Sequence, residues 1–295
     1  MTLYTQQEAN IFRTWFFIGM FLVLIIGLGW ILANIYDAPW LLWLAIIIAL
    51  IQSFLSYWKS DQIILNLYNA QEIKKEDNPD LYRLVENLSI TAGLPMPKIY
   101  LINDPSPNAF ATGRDSSHSI ICVTSGLLER LEKIELEGVI AHELSHIGNR
   151  DILLASVIVV LAGAVTVIAR TFLRGNISRR RGNRNEGESL FSLIALILII
   201  LSPLFALLLK LAISRKREFL ADTTGALLTR YPEGLARALE KIASDPIPLQ
   251  GANEATAHLF ISDPFKKSKI NWFTKLWLTH PPIEERIKAL REMAM

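Results

Sequence analysis

The sequence predicts an α+β chain, with four hydrophobic membrane helices in two pairs around a mostly helical polar domain that carries a small β-sheet. Three observations predict it. Uncharged apolar runs of 23, 21, 18 and 20 residues begin at Thr14, Ala38, Ile152 and Leu190. Polar stretches of mixed pattern separate and follow the two pairs, and three short β-prone runs lie between Lys98 and Thr124. The chain is 51% hydrophobic with a mean hydropathy of +0.32 yet 20% charged, so its apolar residues are concentrated in segments.

The first two runs, Thr14 to Tyr36 and Ala38 to Trp58, are each long enough to cross a hydrocarbon core of about 30 Å. A signal peptide would have a shorter apolar core and a small-residue cleavage site, and neither is present. The link around Asn34 to Pro39 is only a tight turn, so residues 1–58 read as a membrane hairpin with Trp and Tyr near its ends. Arg13 precedes the hairpin and Lys59 follows it, whereas the link has no Lys or Arg. The positive-inside rule then places the N-terminus and residue 59 onwards in the cytoplasm.

Residues 59–151 are polar and mixed. Asn78-Pro79 marks an N-cap with Pro at the first helical position. Leu81, Leu84, Val85 and Leu88 then form one helical face, which Gly93 stops. Lys98 to Ile102 is β-prone, and Asn108 to Gly113 with Ser119 to Thr124 reads as a hairpin around a polar turn. Ser125 caps a short helix. A longer helix begins near Ile134, with Leu136, Val139, Ile140, Leu144 and Ile147 at helical spacing.

That helix carries His142-Glu143-Leu144-Ser145-His146. Residues four apart share a helix face, so His142 and His146 can present ring nitrogens to one metal ion. Glu143 sits beside that face, within reach of a water at the ion but not of the ion itself. Two His and a third protein ligand on Zn²⁺, one ion per chain, leave a position open for a water of lowered pKa, the chemistry of a metallopeptidase.

Residues 152–213 hold the second apolar pair, Ile152 to Ala169 and Leu190 to Leu209, joined by a loop with six arginines. At 1.5 Å per residue the runs span roughly 27 and 30 Å, just enough to cross. Crossing would put the arginine loop outside, against the positive-inside rule; a hairpin that dips in and returns would keep it cytoplasmic. Either path returns the chain near Arg215. Residues 214–295 then begin with Ser214 to Asp222, where Glu218 suits a third ligand. The chain enters the membrane just after His146 and leaves it just before Glu218, which brings together two residues with 71 others between them. Asp222, one turn on, can accept a hydrogen bond from a ligand's ring N–H.

A formal net charge of +2 is too small to imply a nucleic-acid partner. The single cysteine, Cys122, rules out an internal disulfide framework and a Cys-rich metal site, and reads as a small core residue. A metal-handling transporter or sensor would need polar groups in its spans, and these four runs hold no His, Asp or Glu. A catalytically silent membrane scaffold has no use for an intact HExxH.

HELSH, the downstream REFLAD, the stretch NAFATG and the late His280-Pro281-Pro282-Ile283-Glu284-Glu285-Arg286 together resemble the HtpX-type membrane zinc proteases, and the resemblance covers nearly the whole chain. It implies a gluzincin endopeptidase with His142, His146 and Glu218 on zinc and Glu143 as general base. It also implies quality-control cleavage of polypeptide substrates, damaged membrane proteins among them, at the cytoplasmic face of the lipid bilayer. By the same resemblance Asn108, Ala109, Phe110, Ala111 and Thr112 form the edge strand that binds substrate backbone. His280 and Arg286 match positions that stabilise the oxyanion of the tetrahedral intermediate.

Overall fold

The computed structural model describes residues 3–179, 215–252, 256–266 and 281–293. The fourth apolar run, the part of the arginine-rich connection beyond residue 179, and His280 lie outside the described residues. The chain opens with α1 (Leu3–Ile35) and α2 (Trp40–Trp58), a tight helical hairpin. Both are long and apolar enough to cross a bilayer. Their outer faces leave Phe16, Val23, Trp43, Ile47 and Phe54 exposed, as lipid-facing residues should be.

The polar region begins with α3 (Ser60–Leu67) and β1 (Gln71–Ile73), which the periodicities do not mark, and continues with the expected α4 (Pro79–Ala92) and β2 (Lys98–Ile102). Next come β3 (Ala109–Gly113), β4 (Ser119–Thr124), α5 (Ser125–Arg130) and α6 (Lys133–Gly148). Asn78 caps α4 by accepting from the Leu81 N–H, and Gly93 ends it with φ 66°, a left-handed conformation that glycine adopts without a Cβ clash. Thr124 rather than Ser125 caps α5, because its hydroxyl, one residue earlier, reaches the Leu127 N–H. Glu132 and Glu135 form a reciprocal capping box at the start of α6.

The sheet has the order β1-β2-β4-β3. β1 pairs antiparallel to β2, β2 pairs parallel to β4, and β3 and β4 form the expected antiparallel hairpin. β3 is therefore an edge strand, and it lies beside α6. Ile121, Val123, Leu127, Val139, Ile140 and Leu144 are fully buried in the core between sheet and helix.

At Arg150 the backbone takes φ 57° and the chain turns by 83° from α6 into α7 (Asp151–Arg179). The third apolar run lies in α7, and it counts as a crossing candidate only as part of this bent pair. Among the described residues two helices, or three with that pair, are apolar and long enough to cross; four are not confirmed. In α7, Leu153, Val157 and Leu161 pack under Ile18, Phe21 and Ile25 of α1, while Val159 packs on the sheet side with Phe110. Protein, not lipid, surrounds the first turns of α7. After the undescribed stretch come α8 (Arg215–Thr229), α9 (Pro232–Ser244) and α10 (Ile283–Met293).

Candidate metal centre

α6 and α8 press together with almost no room. A Cβ on Gly225 would come within 2.9 Å of the His142 backbone nitrogen, so the absence of a side chain there lets α8 lie directly on the motif helix. That contact brings Glu218 and Asp222 to the two histidines. The Nε2 atoms of His142 and His146 face each other at 3.2 Å, and Glu218 Oε1 is 3.6 Å from His146 Nε2. One ligand atom from each of the three lies within 4.8 Å of the others, an arrangement that could hold a metal ion. Tetrahedral ligands at about 2.0–2.1 Å from one ion stand about 3.3 Å apart, close to the 3.2 and 3.6 Å separations at His146.

Carboxylates hold the far side of both rings. Asp222 Oδ1 lies 2.9 Å from His142 Nδ1, as the sequence predicts, and Asp151 Oδ2 lies 3.1 Å from His146 Nδ1. The bond to Asp151 keeps His146 Nδ1 as the donor, and a carboxylate beside each Nδ1 leaves both Nε2 atoms turned towards the shared point. Burial lowers the pKa of His142. Burial alone would lower His146 too, yet the bond to Asp151 and the charges of Glu218, Asp151 and Glu143 raise it to about 9. The carboxylates around His146 thus favour a positive charge on that ring, while His142 is held neutral.

Glu143 is 2% exposed, and burial raises its carboxyl to about 7, although the charge of neighbouring His146 pulls the other way. Arg286 is fully buried. Its Nε and Nη2 grip both oxygens of Asp222 at 2.8 and 2.7 Å, and Nη1 donates to the Ile261 carbonyl at 2.9 Å. Burial would raise the Asp222 carboxyl, but Arg286 outweighs it and holds that group at about 2. Arg286 Nη2 also stands 3.5 Å from His142 Nε2 and Nη1 3.7 Å from Glu218 Oε2, so its charge faces the cluster while its fork braces Asp222.

A cleft leads to the cluster, lined by Ala111, Ile152, Ala155, Ile158, His258 and Leu259 among others. Asn108 ties the strand end to the far wall by donating to the Ser262 carbonyl. Along the outer edge of β3, the Ala109 carbonyl accepts from the Ile261 N–H at 3.0 Å, and Ala111 lies beside Glu143. Phe110 and Thr112 point the other way along the strand, into the sheet's core and to Ser156 on α7. Sequence reasoning missed Asp151 and His258. Asp151 had a signal, an acid five residues after His146 at a helix start; His258 had none, since nothing in Ala257-His258-Leu259 is spaced from the motif.

Two opposed histidines braced by carboxylates, a third acid and a buried glutamate beside an edge strand define a metal-dependent hydrolase site. The model of peptidase family M48 matches residues 75–294, and the chain belongs to that family. A protein named Protease HtpX homolog from Dictyoglomus turgidum is 44% identical over 294 residues, covering 99% of this chain and 95% of its own length. One of the same name from Thermococcus sibiricus is 44% identical and covers 92% and 91%. The crystal structure of Ste24p from S. mikatae shares the fold, with a TM-score of 0.53 at 18% identity, over 97% of this chain and 67% of that one. The chain is a membrane-associated metalloprotease of the HtpX type.

Proposed function

We propose that the chain is a zinc endopeptidase that cleaves membrane proteins, damaged ones among them, at the cytoplasmic face. His142, His146 and Glu218 hold the ion, with Glu143 as the base. The observation that carries this reading is the convergence of three ligand atoms within 4.8 Å beside a buried, unligated Glu143. Zinc suits a site of two imidazoles and one carboxylate. When bound it supplies Lewis acidity to a water and to the scissile carbonyl. The chain's own residues do the rest. Asp151 and Asp222 fix the two imidazole tautomers. Glu143 takes a proton from the attacking water and passes it to the leaving nitrogen.

Substrate backbone is placed along the outer edge of β3 near Ala111, since the carbonyl of Ala109 already has a partner. The apolar wall of α7 bounds that position, and the same helix packs against the membrane hairpin, which favours polypeptide close to the bilayer. Inside-out membrane vesicles should cleave an added unfolded membrane protein, stop with chelator and resume with Zn²⁺. Chelator-resistant cleavage, or cleavage only by right-side-out vesicles, would contradict the reading.

Arg286 and His280 are assigned to the developing oxyanion. Arg286→Lys keeps the charge but loses the planar fork, so it should lower kcat on the order of 100-fold with KM little changed. His280→Ala should behave alike. Wild-type kcat in both would take them out of the reaction.

A further inference from the structure

We propose that Asn10, on the first membrane helix, is a positioning residue for the metal centre, acting through Asp151 on His146. The proposal rests on the reading of His142, His146 and Glu218 as metal ligands. Asn10 is 2% exposed, and an amide so buried is costly unless its polar atoms are bonded. They are. Its Nδ2 donates to Asp151 Oδ1 at 2.7 Å and lies 3.2 Å from the Asn149 carbonyl, and its Oδ1 accepts from Arg217 Nη1 at 3.3 Å.

All three partners belong to the metal centre's surroundings. Asn149 and Asp151 flank the corner after His146, and Arg217 directly precedes Glu218. Arg217 Nη1 also donates to Asp151 Oδ1, at 3.1 Å, and Asp151 Oδ2 faces His146 Nδ1. A carboxylate held at both oxygens cannot swing, and a fixed carboxylate fixes the imidazole it accepts from. Without the Asn10 N–H, Oδ1 keeps only Arg217, a longer and more mobile side chain.

Gln7, one turn earlier on the same helix, supplies a contrast. Its Nε2 donates to the Gly148 carbonyl at 2.7 Å, which docks α1 on the end of α6 without being bonded to Asp151. Docking and orienting are thus carried by different residues. In consequence the helix that enters the bilayer also completes the support of a metal ligand, and ion retention depends on the hairpin being seated.

The test is zinc affinity of the purified full-length chain in detergent, read by competition with a chromogenic chelator. Asn10→Leu removes every bond, while Asn10→Asp keeps the shape and the acceptor for Arg217 but loses the donor. Both should bind zinc about tenfold more weakly, at the low end for residues that orient a ligand. The visible absorption of the Co²⁺-loaded protein, which reports ligand geometry, should change in both. Gln7→Leu should match wild type in both measurements.

Wild-type affinity in both Asn10 variants would overturn the proposal, as would an equal loss in Gln7→Leu, which would reduce Asn10 to docking. His146→Ala separates the two levels. If it binds zinc like wild type, the metal reading falls and the proposal with it. If it loses zinc while the Asn10 variants keep theirs, only the role of Asn10 falls.

Discussion

Glu143→Gln is expected to lower turnover on the order of 100- to 10,000-fold while zinc stays at one per chain. The substitution keeps the size and the hydrogen-bonding reach of the side chain but removes its ability to accept the water's proton. Glu143 does not share the point where His142 Nε2, His146 Nε2 and Glu218 Oε1 converge, so the ion's protein ligands remain. The variant should also be at least as stable, because a neutral amide at 2% exposure replaces a buried carboxyl. Loss of zinc in Glu143→Gln would show that base and ligands are not separate residues. Retained turnover would move the proton transfer elsewhere.

Asp222→Ala carries the largest expected cost in stability. The guanidinium of Arg286 is fully buried, and two of its N–H groups end on this one carboxylate. Removing one partner of a buried pair typically costs about 3–5 kcal/mol, since the remaining charge stays desolvated. That is a large part of a usual folding stability of about 5–15 kcal/mol. The same change removes the acceptor for His142 Nδ1, so zinc affinity should drop about 10- to 100-fold. Asp222→Ala with Arg286→Met should recover much of the stability and none of the affinity. Thermal unfolding and chelator competition read the two effects apart. Wild-type unfolding in the single variant would contradict the structural account.

What the sequence made legible follows from local chemistry. Leu136, Val139, Ile140, Leu144 and Ile147 mark α6 by spacing alone, and Asn78-Pro79 with Gly93 bracket α4. Glu218 was reachable by a topological argument, since a chain that leaves His146 for the membrane must return near it. The unread parts are those that tertiary packing decides. β1 is three residues long and exists because Gln71–Ile73 pair with Ile99–Leu101, a partner chosen by distance in space. The parallel pairing of β2 with β4 has no local mark. The apolar run in α7 looks lipid-facing on every side, yet α1 and the sheet cover its first turns. Asn10 reads as an ordinary polar residue ahead of an apolar run, and only its partners, some 140 and 207 positions away, reveal its place.

The central claim is that Glu218, brought back to α6 after the undescribed stretch, completes the metal site. Elemental analysis of the purified wild-type chain and of Glu218→Ala tests it most directly. The account predicts one zinc per chain in the wild type and loss of most of it in the variant, with the fold retained. Full zinc content in Glu218→Ala would contradict it and would require another residue as the third ligand.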